Sequence, residues 1–204
     1  MCKLFPMLLL NIFILSLAGC ATVSESQSNQ PLSRKTIAVM PLDNQTNSVV
    51  GALYMREEML NLLEQKGYAP LSISQTDQQL ANQLGISLGG QIAPEDIPKI
   101  TAALGVEAVM TGRLRNFESV LMSYNQVAAN FAMYDANNSQ MVWEYDNAVS
   151  VPFSPLRNEN ISTQMLSGLL GSVLDRTAGK PLHGAVMEYY QRLQYHLPSG
   201  WYRH

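Results

Sequence analysis

The chain of 204 residues holds two cysteines, Cys2 and Cys20, and both fall in its first tenth. Everything after Cys20 is free of thiols. A domain folded from that part has no disulfide framework, no CxxC redox site, no cysteine nucleophile and no cysteine-ligated metal. Its stability falls to an apolar core, and 47% of the residues are apolar, enough for one domain of ordinary size. Charged residues make up only 14%, the net charge is -3, and no basic run occurs. That balance argues against nucleic-acid binding, which needs many Lys or Arg facing phosphates.

Cys20 closes a distinctive stretch. After Met1–Lys3, residues Leu4 to Leu17 are apolar apart from Pro6, Asn11 and Ser16. The run is shorter than the roughly 20 residues that cross a bilayer as a helix, and suits the apolar region of a secretory signal. It ends in Leu17-Ala18-Gly19-Cys20, which matches the bacterial lipobox. Small side chains at Ala18 and Gly19 let a signal peptidase approach the backbone. The Cys20 thiol then takes a diacylglycerol, and its freed amine takes a further acyl chain. Each buried methylene adds about 0.8 kcal/mol, so two or three chains anchor where one does not. Residues 1–19 are therefore expected to be a signal peptide, with Leu17, Ala18 and Gly19 as the peptidase recognition site and Cys20 as the lipid attachment site. This covalent lipid is the only expected cofactor, and no metal is expected. Ala21 stands where inner-membrane lipoproteins of Gram-negative bacteria commonly carry Asp, so an outer-membrane anchor facing the periplasm is expected. Residues 20–34 read as a polar tether reaching about 20 Å.

Residues 35–197 carry the fold. Lys35–Leu42 reads as a buried strand ended by Pro41, and Asp43–Asn47 as a turn. From Val49 the spacing of Ala52, Met55, Met59, Leu62 and Leu63 predicts a helix, with Arg56, Glu57, Asn61 and Glu64 off its apolar face. A short strand over Tyr68–Ile73 follows, then a brief helix capped by Ser74, a loop over Gly85–Ala93, and a helix opening at Pro94-Glu95-Asp96. A third strand starts at Val106. The order so far is β-α-β-α-α-β, which implies a partly parallel sheet. Gln126–Tyr134 and Gln140–Val149 then read as an antiparallel hairpin, with an Asn of its turn taking positive φ. Met141, Trp143 and Tyr145 alternate with Val142, Glu144 and Asp146. Helical patterns cover Asn158–Asp175 and Pro181–Leu197, and residues 198–204 form an aromatic tail.

The segments KTIAVMPLDNQTN, EEMLNLLEQKGYAPL, ALGVEAVMTGRLRNF and MYDANNSQMVWEY resemble a family of bacterial lipoproteins of unknown function that includes a meningococcal vaccine-candidate lipoprotein. More broadly they resemble the group containing the curli-secretion lipoprotein CsgG and the amino-terminal domain of TolB. The sequence departs from the family at Asn138-Ser139, where Thr-Gly is common. The resemblance implies an α/β fold, a single domain with a mixed, partly parallel and partly antiparallel sheet flanked by helices, and extra C-terminal helices. It also implies a non-enzymatic envelope role with protein partners or self-assembly. The Phe117–Asn125 connection is too short to add a membrane-spanning hairpin, so no pore is expected.

Asp43 and Asn44 follow the first strand, where open α/β sheets bind ligands. They form a pocket or partner surface on one reading, and a turn with a helix cap on the other. Trp201 and Tyr202 either pack back on the domain or dock on a partner. Gly89-Gly90 lacks the Gly-Lys-Ser/Thr that a phosphate loop needs. His183, His196 and His204 are too widely spaced for a metal site. The expected function is that of a lipid-anchored, non-enzymatic assembly, export or scaffold subunit that binds envelope proteins or its own copies. The alternative is a small-molecule or glycan-binding module using the loop after the first strand and the Gly85–Ala93 loop.

Overall fold

The computed structural model describes residues 33–120, 123–152, 180 and 182–202. Ile37, Ala38 and Val39 have no polar side chain to solvate and are fully buried. They form the centre of strand β2 (Thr36–Val39), which follows a two-residue strand β1 (Ser33–Arg34). Next come β3 (Asp43–Asn44), α1 (Val49–Gln65), β4 (Ala69–Pro70), α2 (Ile73–Leu84) and α3 (Ile97–Leu104). Three long strands follow, β5 (Ala108–Val120), β6 (Tyr124–Asp135) and β7 (Met141–Pro152). Helix α4 (His183–Leu193) and β8 (Trp201–Tyr202) complete the order.

The main sheet runs β4-β2-β5-β6-β7, with β3 pairing to β5. β2 is parallel to β4 and β5, whereas β5, β6 and β7 form an antiparallel meander. The mixed sheet expected from the sequence is observed. Each parallel step needs a crossover, supplied by α1 and then by α2 with α3. The expected helix over 158–175 lies outside the described residues.

Side chains on the two sides of the sheet build two cores. On the first side Met110, Leu114, Phe131 and Met133 meet Met55, Met59 and Leu63 of α1 and Tyr189 and Leu193 of α4. On the second, Ala38, Met40 and Val109 meet Leu80 of α2 and Ile97, Ile100 and Leu104 of α3. The second core is smaller and covers only the β2 end of the sheet. Past it, alternate residues of β7 from Glu144 to Ser150 are exposed, as in an antiparallel sheet with one solvated face.

Helix ends follow local chemistry. Ser48 Oγ accepts from the Gly51 amide at 3.0 Å and starts α1. α2 is capped by Ser72, not Ser74, through the Gln75 amide at 3.2 Å. Gly85 and Gly105 stop α2 and α3 in the left-handed conformation.

Several expectations are corrected. The strand predicted over Tyr68–Ile73 is reduced to Ala69–Pro70, because Pro70 has no amide for the ladder and α2 starts at Ile73. Arg56 is not solvated but 4% exposed. Its guanidinium donates to the Val39 carbonyl at 2.8 and 3.1 Å and to Asp77 at 2.6 and 2.9 Å, tying α1 to both β2 and α2. In the β6–β7 turn the positive φ falls on Ser139, at 56°, rather than on an Asn. A register shift between Met133 and Tyr134 leaves Val142 outside the β6–β7 pairing. The shift resets the alternation, so Met141 is exposed while Trp143, Tyr145 and Val149 face the first core.

Candidate functional site

Met40 still donates to the Met110 carbonyl at 2.8 Å, but Pro41 has no amide to donate, so the chain leaves the ladder there. The chain rejoins it at β3, where Asp43 and Asn44 pair with Arg113 and Leu114 of β5. This detour forms one wall of a cleft of about 220 Å³ on the second side of the sheet. The Gly89–Pro94 loop makes the facing wall, and Thr111, Asn130 and Ala132 make the floor. Tyr134, Met141 and Glu144 close the far side.

Gly89 sets how closely the two loops approach. A Cβ there would lie 2.2 Å from the Leu42 carbonyl carbon and 2.3 Å from the Asp43 nitrogen. Only glycine permits that contact without moving backbone. The Gln91 side chain holds the loop by accepting from the Ser87 and Leu88 amides at 2.9 and 2.8 Å. Gly89-Gly90 is thus a close-packing device.

The charged groups of the cleft are engaged with one another. Arg113 Nε donates to Asp43 Oδ2 at 2.7 Å, and Gln45 donates to the same carboxylate at 3.2 Å. Asn130 donates to Glu144 at 2.9 Å. Arg113 is 57% exposed along its side chain, so its ion pair is worth at most about 1 kcal/mol. The cleft therefore offers paired polar groups beside the apolar side chains of Ile92, Ile97 and Ala132. Such a surface can bind through hydrogen bonds and apolar contact.

The two predicted residues of this loop part company. Asp43 lines the cleft. Asn44 turns toward α1, where its carbonyl oxygen accepts from the Thr46 amide and hydroxyl at 3.0 and 2.8 Å. Its amide donates to the Ser48 carbonyl at 3.1 Å. Asn44 thereby shapes the entry to the helix.

Leu17, Ala18, Gly19 and Cys20 lie outside the described residues. Trp201 and Tyr202 form β8, whose backbone pairs antiparallel with Arg34 and Ser33 of β1. The tail approaches through Gly200, which donates to Lys66 O and accepts from the Lys35 amide, both at 2.9 Å. Residues 33–35, where the described part of the domain begins, are therefore beside the carboxyl-terminal segment. There Lys35 holds Asp135 at 2.7 Å and keeps its carboxyl below the usual range.

His183 bonds Tyr54 at 2.5 Å, and His196 lies against Tyr145 with ring centroids 5.2 Å apart. Among the described residues no group of three or more His, Cys, Asp or Glu side chains is placed to hold a metal ion. Tyr189 and Tyr190, both pushed up in pKa by burial, remain neutral donors to the carbonyls of Ala129 and Met55.

Two features were not found from the sequence. Arg56 had a usable signal, since 52, 56, 59 and 63 follow one helical stripe and put Arg56 at its centre. The open outer edge of β7 had none, because which strand ends a sheet depends on long-range pairing.

The fold is shared with a known lipoprotein. The crystal structure of lipoprotein GNA1162 from Neisseria meningitidis superposes with a TM-score of 0.51 at 20% identity, over 71% of this chain and 98% of that one. Weaker likenesses include the LpoB C-terminal domain from Salmonella enterica (TM-score 0.44, 19% identity, 59% and 86% covered). Another is the PelC dodecamer from Paraburkholderia phytofirmans (TM-score 0.42, 15% identity, 67% and 86% covered). No curated protein matches the sequence. The model of the GNA1162-like lipoprotein family matches residues 23–195, and the chain belongs to that family.

Proposed function

We propose that this protein is a lipid-anchored envelope lipoprotein that acts without catalysis, as a protein-binding accessory or scaffold subunit of an assembly or export machinery. Residues 1–19 are its signal peptide, Cys20 carries the lipid, residues 20–34 form the tether, and residues 35–197 form the domain, with 198–204 as its tail. The anchor is in the outer membrane, with the domain facing the periplasm. Placement beside CsgG and the amino-terminal domain of TolB belongs to the same proposal and rests on the sequence resemblance over residues 35–150.

The observation that carries the reading is the open side of the β5–β6–β7 meander. β5 extends six residues beyond its last pairing with β3 at Leu114. That is about 20 Å of strand at roughly 3.3 Å per residue. It runs away from the end where the tether enters at β1. A surface held there is presented away from the anchored membrane, toward other envelope proteins or a second copy.

The test places a photo-crosslinking amino acid at Glu118 and, separately, at Asp146 in cells. Discrete protein adducts are expected at both and are expected to fall when Cys20→Ser releases the protein from membranes. Absence of any adduct, or retention of label and membrane association by Cys20→Ser, sinks the reading.

A second reading, a small-molecule or glycan-binding module, is favoured by one observation. The loop after the first strand and the Gly85–Ala93 loop together wall the cleft. If that reading holds, Asp43→Ala and Arg113→Ala abolish ligand binding while leaving the adducts at Glu118 in place.

A further inference from the structure

We propose that β7 is a strand-addition site. An extended segment of a partner protein pairs with its outer edge, in the groove between β7 and α4, with basic residues on one face and apolar or aromatic residues on the other. This rests on the protein-binding reading and names the partner's chemistry.

β7 is twelve residues long and, among the described residues, no strand pairs with its outer side. A strand at a sheet edge presents alternate amides and carbonyls outward, a template for one more strand. The amide of Ala148 marks the outward set. It donates to the neighbouring Asn147 Oδ1 at 2.9 Å, a local substitute for a strand partner. By alternation Asp146 and Ser150 point their backbone groups the same way. Beside this edge lies a groove of about 670 Å³, walled by Tyr145 and Asn147 of β7 and by Gln191, Arg192 and Tyr195 at the end of α4. An edge strand beside a helix is a recurrent way of seating an extended peptide.

The side chains specify the occupant. Directly opposite residues share one face of a sheet. On the helix side the added strand meets Tyr145, whose ring lines the groove and is stacked on Trp143, 6.3 Å away and 5° from parallel. Tyr195, 83% exposed, stands beside them. Apolar or aromatic residues fit there. On the other side it meets Glu144, exposed and accepting from Asn130 at 2.9 Å, and Asp146, exposed and already paired with Arg115, so a basic residue fits opposite Glu144. The opposite edge of the sheet, β4, is two residues and ends in Pro70, which cannot donate.

The probes are two fluorescein-labelled octapeptides, one alternating Lys and Val and one alternating Glu and Val, titrated into the full chain and read by fluorescence anisotropy. The Lys/Val peptide is expected to bind, and the Glu/Val peptide to bind at least about tenfold more weakly. Ala148→Pro removes an outward amide without touching the β6 ladder, so it should weaken Lys/Val binding by about tenfold or more with an unchanged melt. The double variant Glu144→Lys, Asp146→Lys should reverse the preference and serves if the proline variant is unfolded. Binding that is indifferent to these variants overturns the proposal, as does failure of the Lys/Val peptide to bind. So does a mass doubling of the chain that Ala148→Pro abolishes. If peptide binding fails while the crosslinks at Glu118 persist, strand addition is lost and the protein-binding reading stands.

Discussion

The two sides of the sheet are built for different ends. On the first, α1 and α4 cover the strands with large, fully buried side chains, Phe131, Met55, Met59, Leu63 and Tyr189 among them. Buried tyrosine hydroxyls bond backbone carbonyls there instead of standing idle. On the second, α2 and α3 cover only the β2 end, and the remaining strands show polar and charged residues to solvent. The same three long strands thus carry a packed face and an open one, with a side-chain period of two keeping the two roles separate. Stability is concentrated where the helices close the sheet, and recognition is available on the open side and along the free edge of β7.

Several variants break or sharpen this contrast. Phe131→Ala empties the centre of the closed side and is expected to cost about 3–5 kcal/mol in a denaturant titration. Ile100→Ala strikes the smaller core under α3, with an expected loss of about 2–4 kcal/mol. A loss there as large as that of Phe131→Ala would erase the asymmetry.

Asp135 supplies a pH-dependent difference. Lys35 keeps its carboxyl below the usual range, so its contribution is full above the ordinary carboxylate pKa. That contribution is lost as pH falls through the lowered value in the folded state. Asp135→Asn should therefore be less stable than wild type at neutral pH, the two converging in acid, as followed by thermal melts across pH.

Ser139→Gly relieves a left-handed serine and should stabilise the protein by about 0.5–1 kcal/mol. Glu144→Ala, on the open side, should change stability by less than about 0.5 kcal/mol. A larger cost would mean that the open side is structural.

The sequence carried most of the fold because its signals are local. The apolar stripe of Met55, Met59, Leu62 and Leu63 predicts α1, and Gly105 predicts the stop of α3. The alternation around Trp143 predicts a half-buried strand, but its phase was off at Met141. The shift that leaves Val142 unpaired is set by the partner strand and leaves no mark in the composition. Ser72 and Ser74 are equally able to cap, and tertiary context chose between them. For the site, Asp43 was legible as a residue after the first strand. Its partner Arg113 lies 70 residues away and could not be paired with it from spacing. Arg56 is expected off the apolar face on its charge, whereas its position at the centre of the stripe and its partners Val39 and Asp77 bury it.

The most direct test of the division between a closed, stabilising side and an open, binding side is hydrogen exchange. The protein is compared in its native membranes and after extraction and purification. The account predicts that β7 and the distal half of β5 lose protection on extraction, while α1 and α4 exchange equally in both states. Identical protection of β7 and β5 in the two states would contradict it.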